Sequence, residues 1–338
     1  MSLDVARAYQ LAWRYGHRVP GPVVRALTTA AADVTWLRRG GGVRRLEANL
    51  ARVRPDLDGR ALRRLSRAGM RSYLRYFGEA FTLRALTPDQ VAARVRATGR
   101  EHVQPHLDAG RQVVLALGHM GNWDLAGAWA TTHLAHVTTV AERLEPEELF
   151  QEFAAFRESI GLTIVPLTGG GDVFRRLTRV VRTGPGLLPL LADRDLTAKG
   201  VEVDLLGHRA RVAAGPAALA VSSGAPLVPT AITYERLSGA RRRAAGGPWG
   251  IVISFLPAVD VPVDLPRGEQ VRAATQAWVT ALGAAIHARP QDWHMLQRVF
   301  VEDLDPARDA AVRADAAASA VPAATSIASP ALAPEEAP

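Results

Sequence analysis

Apolar residues recur at helical spacing through the first 90 residues of the chain, which predicts helix throughout this region. A first segment carries Val5, Tyr9, Ala12 and Trp13 on one face. A second segment ends at the glycine-rich stretch 38–42, and its apolar positions are Val23, Leu27, Ala30, Val34 and Leu37.

The third segment, which follows residues 56–59, has two opposed faces. One face is apolar and carries Leu62, Leu65, Tyr73, Tyr76 and Ala80, and the other carries Arg60, Arg64, Arg67, Arg71 and Arg75. Such a helix is typical of a membrane interface, where the cations meet lipid phosphates. A helix packed on the protein core with a solvated basic face gives the same pattern. The periodicity leaves both interpretations open.

From residue 94 onwards, apolar runs of strand length alternate with helical segments. Strands are predicted at 113–117, 138–141, 162–167, 186–191, 201–206, 227–233 and 251–256, and helices near 122–135, 146–160, 172–182, 213–223 and 269–288. This alternation predicts an α/β fold with a central, mostly parallel or mixed sheet flanked by helices.

Three regions are therefore expected. Residues 1–90 form a helical, membrane-associating region, and residues 91–305 form the α/β core. Residues 306–338 are rich in Ala, Pro and Ser without aromatic residues, which predicts a disordered tail.

Composition narrows the possible functions. The absence of Cys among 338 residues excludes disulfides, thiolate nucleophiles and cysteine metal sites. We expect no signal peptide and no membrane span, because the N-terminus lacks a basic and apolar leader and no apolar run reaches about 18 residues. These features favour the cytosol or a cytosolic membrane face. The net charge of +8 suggests an anionic membrane, an acidic ligand or nucleic acid as a partner.

The stretch GHMGNWD, residues 118–124, follows the first predicted strand of the core. Ligands bind at the carboxyl ends of strands in open α/β sheets, so His119 is placed for chemistry. Asn122 is a plausible cap for the next helix. Asp124 in its first turn could orient the imidazole so that the other ring nitrogen accepts a proton. The plainer alternative is a first-turn Asp and an incidental His.

The same stretch resembles the first motif of the bacterial lipid acyltransferases, which carry His-x4-Asp or His-x4-Glu in a Gly-Asn-Trp context. Further strings resemble that family in order: FRESIG at 156–161, ADRD at 192–195, GVEVDLLG at 200–207, AGPA at 214–217, PLVP at 226–229 and PQDWHMLQ at 290–297. The VEVD and DWHMLQ forms resemble the actinobacterial phosphatidylinositol mannoside acyltransferases. The resemblance covers about residues 1–305.

The resemblance implies acyl transfer from acyl-CoA, usually palmitoyl-CoA, to the 6-hydroxyl of a mannose in a phosphatidylinositol mannoside. It implies a peripheral enzyme on the cytoplasmic face of the inner membrane, with acyl-CoA as co-substrate and no other cofactor. His119 would be the general base. A carboxylate of the Val-Glu-Val segment, which maps onto Glu202, would pair with it. Asp124 competes for that role, and the residues leave the choice open.

The remaining candidate site residues are polar or aromatic. Arg157 and Arg194 could contact phosphate or developing negative charge, since a guanidinium suits both. Their alternative is surface ion pairing with Glu158, Asp193 or Asp195. Asp193 and Asp195 have no third ligand motif, so no metal site is expected. Asn122 and Trp123 complete the predicted substrate-binding set.

Two competing functions remain open. One is acylation of another membrane lipid. The other is a non-catalytic, basic protein that binds membrane or nucleic acid. A nucleic-acid module is expected to show a basic stripe with interleaved aromatic residues or a known motif, and neither is present, so we expect no nucleic-acid partner.

Overall fold

A computed structural model describes residues 13, 15–142, 147–167, 171–195 and 200–304. Three long helices precede the sheet: α1 (Gly21–Arg38), α2 (Gly41–Val53) and α3 (Gly59–Thr82). The N-terminus of α3 is fixed by Asp58, whose side chain accepts a hydrogen bond from the Ala61 N–H at 2.6 Å. Helix α2 was not predicted as a separate element.

The apolar stripes predicted for α1 and α3 lie in different environments. The predicted apolar face of α3 packs within the protein, where Tyr76 and Ala80 are buried and Leu62, Leu65 and Tyr73 are partly buried. The packed-helix alternative is therefore correct for α3. The apolar stripe of α1 instead lies on the surface, with Leu27 62% and Leu37 68% exposed.

The elements of the α/β core follow in alternation. The helices are α4 (Pro88–Arg94), α5 (Gln104–Asp108), α6 (Trp123–His133), α7 (Glu147–Ser159), α8 (Gly171–Val181), α9 (Gly215–Ser223), α10 (Gly239–Ala244) and α11 (Arg267–Ala288). The strands are β1 (Val95–Thr98), β2 (Gln112–Leu117), β3 (Val137–Glu142), β4 (Leu162–Leu167), β5 (Gly186–Leu191), β6 (Val201–Leu205), β7 (His208–Val212), β8 (Leu227–Arg236) and β9 (Trp249–Phe255).

Seven of these strands form one sheet in the order β1-β9-β8-β2-β5-β3-β4. Every neighbouring pair is parallel except β8 and β9, which are antiparallel. All six residues of β2 are buried, as expected for a strand covered on both faces. The predicted α/β class and mostly parallel sheet are confirmed.

The segment 201–206 was expected to be a strand of this sheet, and that prediction is wrong. Among the described residues, strand β6 pairs with β7 alone, in a separate antiparallel hairpin that joins Val201 to Val212 and Leu205 to His208. The strands β1 and β7 were not predicted. Both are short, with the mixed burial of positions near the edge of the structure.

Some predictions concern residues outside the described ranges, namely Val5, Tyr9 and Ala12 of the first helix and the tail 306–338. The division into three regions stays a prediction. Among the described residues, no helix combines the length and the apolar character needed to cross a bilayer.

Candidate active site

The loop after β2 turns sharply and is fixed by backbone contacts. Gly121 has a φ of +60°, and a Cβ at this position would lie 2.5 Å from the Ile232 carbonyl oxygen, so a side chain would be strained here. The His119 carbonyl accepts a hydrogen bond from the His294 N–H at 2.7 Å, and Met120 bridges to Trp293. The segment 292–294 therefore holds the histidine loop in place.

The ring of His119 is paired with Asp193. The Nδ1 atom lies 2.5 Å from Asp193 Oδ1, and the His119 backbone N–H donates to Asp193 Oδ2 at 2.9 Å. No described residue forms a hydrogen bond with Nε2, and the partly exposed ring lines a cavity. Because Asp193 accepts from Nδ1–H, the neutral ring carries its free lone pair on Nε2.

Asp193 is held by more than the histidine. It is 2% exposed, and Trp293 Nε1–H donates to its Oδ2 at 2.8 Å. Burial alone would raise the pKa of the Asp193 carboxyl, but the charge of His119 and the hydrogen bonds from His119 and Trp293 hold it below its ordinary value. The carboxylate is therefore ionised near neutral pH and stabilises an imidazolium beside it.

Asp124 does not pair with His119, which corrects one of the two predicted partners. Its Oδ2 accepts from the Tyr76 hydroxyl at 2.7 Å and its Oδ1 from Arg157 Nε at 2.7 Å. Asp124 is 1% exposed and sits at the start of α6. It joins α3, α6 and α7 in the cavity wall, so it supports the wall of the site rather than the imidazole directly.

Glu202 does not pair with His119 either, which corrects the second predicted partner. It lies on the β6–β7 hairpin, where its carboxylate pairs with Arg209 at 2.5 Å and Arg211 at 3.8 Å. Its side chain is not among those that line the cavity. Asp193, predicted only to bind substrate, occupies the place assigned to Glu202.

Asn122 and Trp123 lie in different environments, although they are adjacent in the chain. Asn122 is fully buried, caps α6 by accepting from the Leu125 N–H, and donates to Glu79. Its predicted contact with substrate is therefore corrected to a capping and positioning role. Trp123 lines the cavity, with its ring 5.9 Å from that of His119. Its buried Nε1 has no hydrogen-bond partner among the described residues.

The cavity beside His119 has a volume of about 1010 Å³. This is at the upper end of the range of about 300–1,000 Å³ found for ligand pockets. Apolar side chains from the N-terminal helices, β3 to β5, α7, α8 and α9 form most of its wall, including Phe77, Val140, Phe153, Phe174, Leu177, Leu190 and Leu219. A flexible alkyl chain is the kind of ligand that such a wall favours.

Polar side chains lie in the same wall. Arg157, Arg194 and Asp195, which the sequence suggested as substrate contacts, line the cavity, and so does His294. The Arg157 guanidinium is buried, pairs with Asp124 and lies 4.1 Å from the Phe153 ring centroid. Its ion pair is thus a buried one with Asp124, and not the expected surface pair. Within the described ranges, no group of three His, Asp or Glu residues is placed to hold a metal ion.

Two features of the site were missed by the sequence analysis. The first is the Asp193 role described above, for which ADRD directly after a predicted strand was an available signal. The second is the hydrogen-bonded group formed by Ser72, Asp292 and His294. The Ser72 hydroxyl lies 2.9 Å from Asp292 Oδ1 and 3.0 Å from His294 Nε2. His294 also contacts the rings of Tyr73 and Trp123.

The model of the bacterial lipid A biosynthesis acyltransferases matches residues 5–302. A phosphatidylinositol mannoside acyltransferase of Mycolicibacterium smegmatis is 38% identical over 304 residues, which cover 89% of this chain and 93% of that protein. The protein of that name from Mycobacterium tuberculosis is 38% identical over 310 residues, 90% of this chain and 92% of its own length.

Among solved structures, the 1-acyl-sn-glycerophosphate acyltransferase PlsC of Thermotoga maritima matches 80% of this chain and 98% of its own. The identity is 14% and the TM-score 0.35. A similarity at this level supports no further conclusion.

Proposed function

The chain belongs to the bacterial lipid A biosynthesis acyltransferase family, and from this membership we propose that it transfers a fatty acyl chain to a phosphatidylinositol mannoside. The structural observation that carries the proposal is the His119–Asp193 pair at the wall of the large apolar cavity. The pair provides a base at the point where a bound acyl chain would present its carbonyl group.

The proposed reaction needs no enzyme nucleophile, because a thioester is already activated. His119 Nε2 takes the proton of the acceptor hydroxyl as that oxygen attacks the thioester carbonyl carbon. The tetrahedral intermediate then breaks its C–S bond, and the leaving sulfur takes the proton from the imidazolium. Asp193 holds Nδ1–H and stabilises the imidazolium, and a base so placed accelerates such a step about 10²–10⁴-fold.

The proposed substrates follow from the wall of the cavity. The proposed acyl donor is acyl-CoA, and palmitoyl-CoA is the favoured donor. The apolar wall of the cavity is consistent with the binding of a long alkyl chain. The acceptor is the 6-hydroxyl of a mannose. Arg194 and Asp195 are the polar groups proposed to contact its hydroxyls or the donor phosphates, since both lie in the cavity wall and a guanidinium suits phosphate.

We also propose that the protein acts as a peripheral enzyme on the cytoplasmic face of the inner membrane. The support comes from α1, whose exposed Val23, Leu27, Val34 and Leu37 form a continuous apolar stripe. A stripe of this kind on a helix surface is favoured to lie in the headgroup region of an anionic bilayer.

The test is release of free CoA from palmitoyl-CoA, measured with a phosphatidylinositol mannoside, with a lysophospholipid and without acceptor. We expect release that depends on the mannoside, and we expect His119→Ala to lower it about 10²–10⁴-fold while the circular dichroism spectrum stays unchanged. The exposed His287→Gln is the matched control. Equal stimulation by the lysophospholipid would favour another lipid acceptor, and wild-type turnover in His119→Ala would exclude the base assignment.

A further inference from the structure

A second cavity, of about 630 Å³, lies on the basic side of α3, away from the apolar cavity. We call it the arginine cavity, because six arginines line it: Arg64, Arg67, Arg71, Arg75, Arg236 and Arg289. The first four come from one face of α3, Arg236 ends β8, and Arg289 follows α11. Tertiary structure therefore adds two guanidiniums to the stripe visible in the sequence.

The carboxylates near these arginines leave an excess of positive charge. Asp33 on α1 binds both Arg67 and Arg71. Glu235 forms ion pairs with Arg96 and Arg241, neither of which lines the cavity. Among the described residues, no ion pair to a carboxylate is formed by Arg64, Arg75, Arg236 or Arg289.

Two of the unpaired guanidiniums contact the same aromatic ring. Arg75 lies 3.6 Å and Arg236 4.7 Å from the centroid of Trp249. Cation–π contacts fix these side chains in position, but they do not remove the repulsion between the two charges. Both side chains line the cavity, so a bound anion there would offset this positive charge.

The floor of the arginine cavity is a wall shared with the candidate active site. Ser72 and Asp292 line the arginine cavity, and His294, which is hydrogen-bonded to Ser72, lines the apolar cavity on the other side. Asp292 is 2% exposed, and its carboxylate accepts hydrogen bonds from the Ser72 hydroxyl and the Tyr234 N–H, each at 2.9 Å. A ligand in the arginine cavity therefore does not reach His119 through this floor.

We propose that the arginine cavity binds a phosphate-bearing ligand at a site separate from that of acyl transfer. Guanidinium groups form paired hydrogen bonds with phosphate oxygens, and several unpaired guanidiniums match a group with more than one negative charge. The volume exceeds that of a single phosphate, so the phosphate is carried on a larger polar group. Its source is either the headgroup of a lipid or a soluble phosphate ester.

The test compares two triple variants with equal loss of charge. Arg75→Gln, Arg236→Gln and Arg289→Gln remove unpaired cavity arginines, whereas Arg60→Gln, Arg242→Gln and Arg272→Gln remove exposed arginines elsewhere. Binding of inorganic pyrophosphate is measured by calorimetry at fixed ionic strength. Adsorption to phosphatidylcholine vesicles, with and without phosphatidylinositol, is measured by sedimentation. Both assays omit acyl-CoA, so they are independent of turnover.

We expect the cavity triple variant to lose at least about tenfold in binding, with the control triple variant close to the wild type. A selective loss with pyrophosphate identifies a soluble phosphate ester, and a selective loss only with phosphatidylinositol vesicles identifies the lipid headgroup. Equal behaviour of the two triple variants in both assays would overturn the proposal. Arg289→Gln alone, which removes no aromatic contact, gives the same comparison if the triple variant is less stable.

Discussion

Asp193 faces His119 because each lies two residues beyond the end of one of two adjacent parallel strands. The last residues of β2 and β5, Leu117 and Leu191, are register partners in the sheet. The two chains therefore leave the same edge side by side, and their next polar side chains meet. This relationship gives the imidazole a carboxylate partner from a distant strand end, and not from the residues that directly follow His119 in the chain.

Replacing Asp193 by Asn should damage catalysis while preserving shape. The amide can no longer stabilise the imidazolium and can favour the wrong tautomer, so kcat should fall by roughly 10²–10⁴-fold. The measurement is steady-state CoA release, with KM for palmitoyl-CoA recorded alongside kcat. Glu202→Gln, on the outlying hairpin, should turn over like the wild type. A large loss in Glu202→Gln with a small loss in Asp193→Asn would reverse the assignment.

Replacing Asp124 by Asn should act on stability. The buried guanidinium of Arg157 would lose its charged partner, and burying an uncompensated charge costs about 3–5 kcal/mol. Urea unfolding at pH 7.5 measures this change. Asp56→Asn, which removes an exposed ion pair with Arg54, is the control and should leave the unfolding midpoint unchanged. An unchanged midpoint in Asp124→Asn would show that the pair is not buried in solution.

Stability should fall in mild acid partly because of His294. Burial, with a further contribution from Arg75, lowers the pKa of His294 to about 3. The unfolded chain takes up this proton near pH 6.5 and the folded chain does not, so stability is lost as the pH falls between these values. No such contribution exists above that window. The expected slope for one proton is about 1.4 kcal/mol per pH unit.

His294→Gln should therefore reduce the stability lost between pH 7.5 and pH 5 by about 2 kcal/mol. Urea unfolding at the two pH values measures the difference for the wild type and the variant. His287→Gln, at an exposed position, is the control. An identical pH dependence in the wild type and His294→Gln would mean that His294 is not buried in its neutral form.

The stripe on α1 should control adsorption to membranes. Leu27→Gln combined with Leu37→Gln removes the two most exposed leucines of the stripe and should lower partitioning onto anionic vesicles by at least about tenfold, since burying one leucine contributes about 1.5–3 kcal/mol. Val263→Gln, at a site 89% exposed outside the stripe, is the control. Equal adsorption of the double variant and the control would show that α1 does not contact the membrane.

The sequence by itself determined the local elements and the most important side chain. Continuous apolar runs and period-3.6 patterns located the main strands and helices of the core, because a strand covered on both faces is apolar throughout and a packed helix buries one face. The short strands β1 and β7 escaped, since four or five residues of mixed burial carry little periodic signal. His119 was identified because a strand end with flanking glycines marks where an open sheet binds ligands.

Tertiary structure alone decided which carboxylate meets His119 and where the cations gather. Nothing local states that β5 lies beside β2 or that β6 leaves the sheet, so Asp124, Asp193 and Glu202 could not be ranked as partners from their spacing. Likewise, Arg236 and Arg289 join the α3 arginines only because β8 and α11 end at the same place. Strand order is set by the packing of the whole core, and so it fixes contacts between residues far apart in the chain.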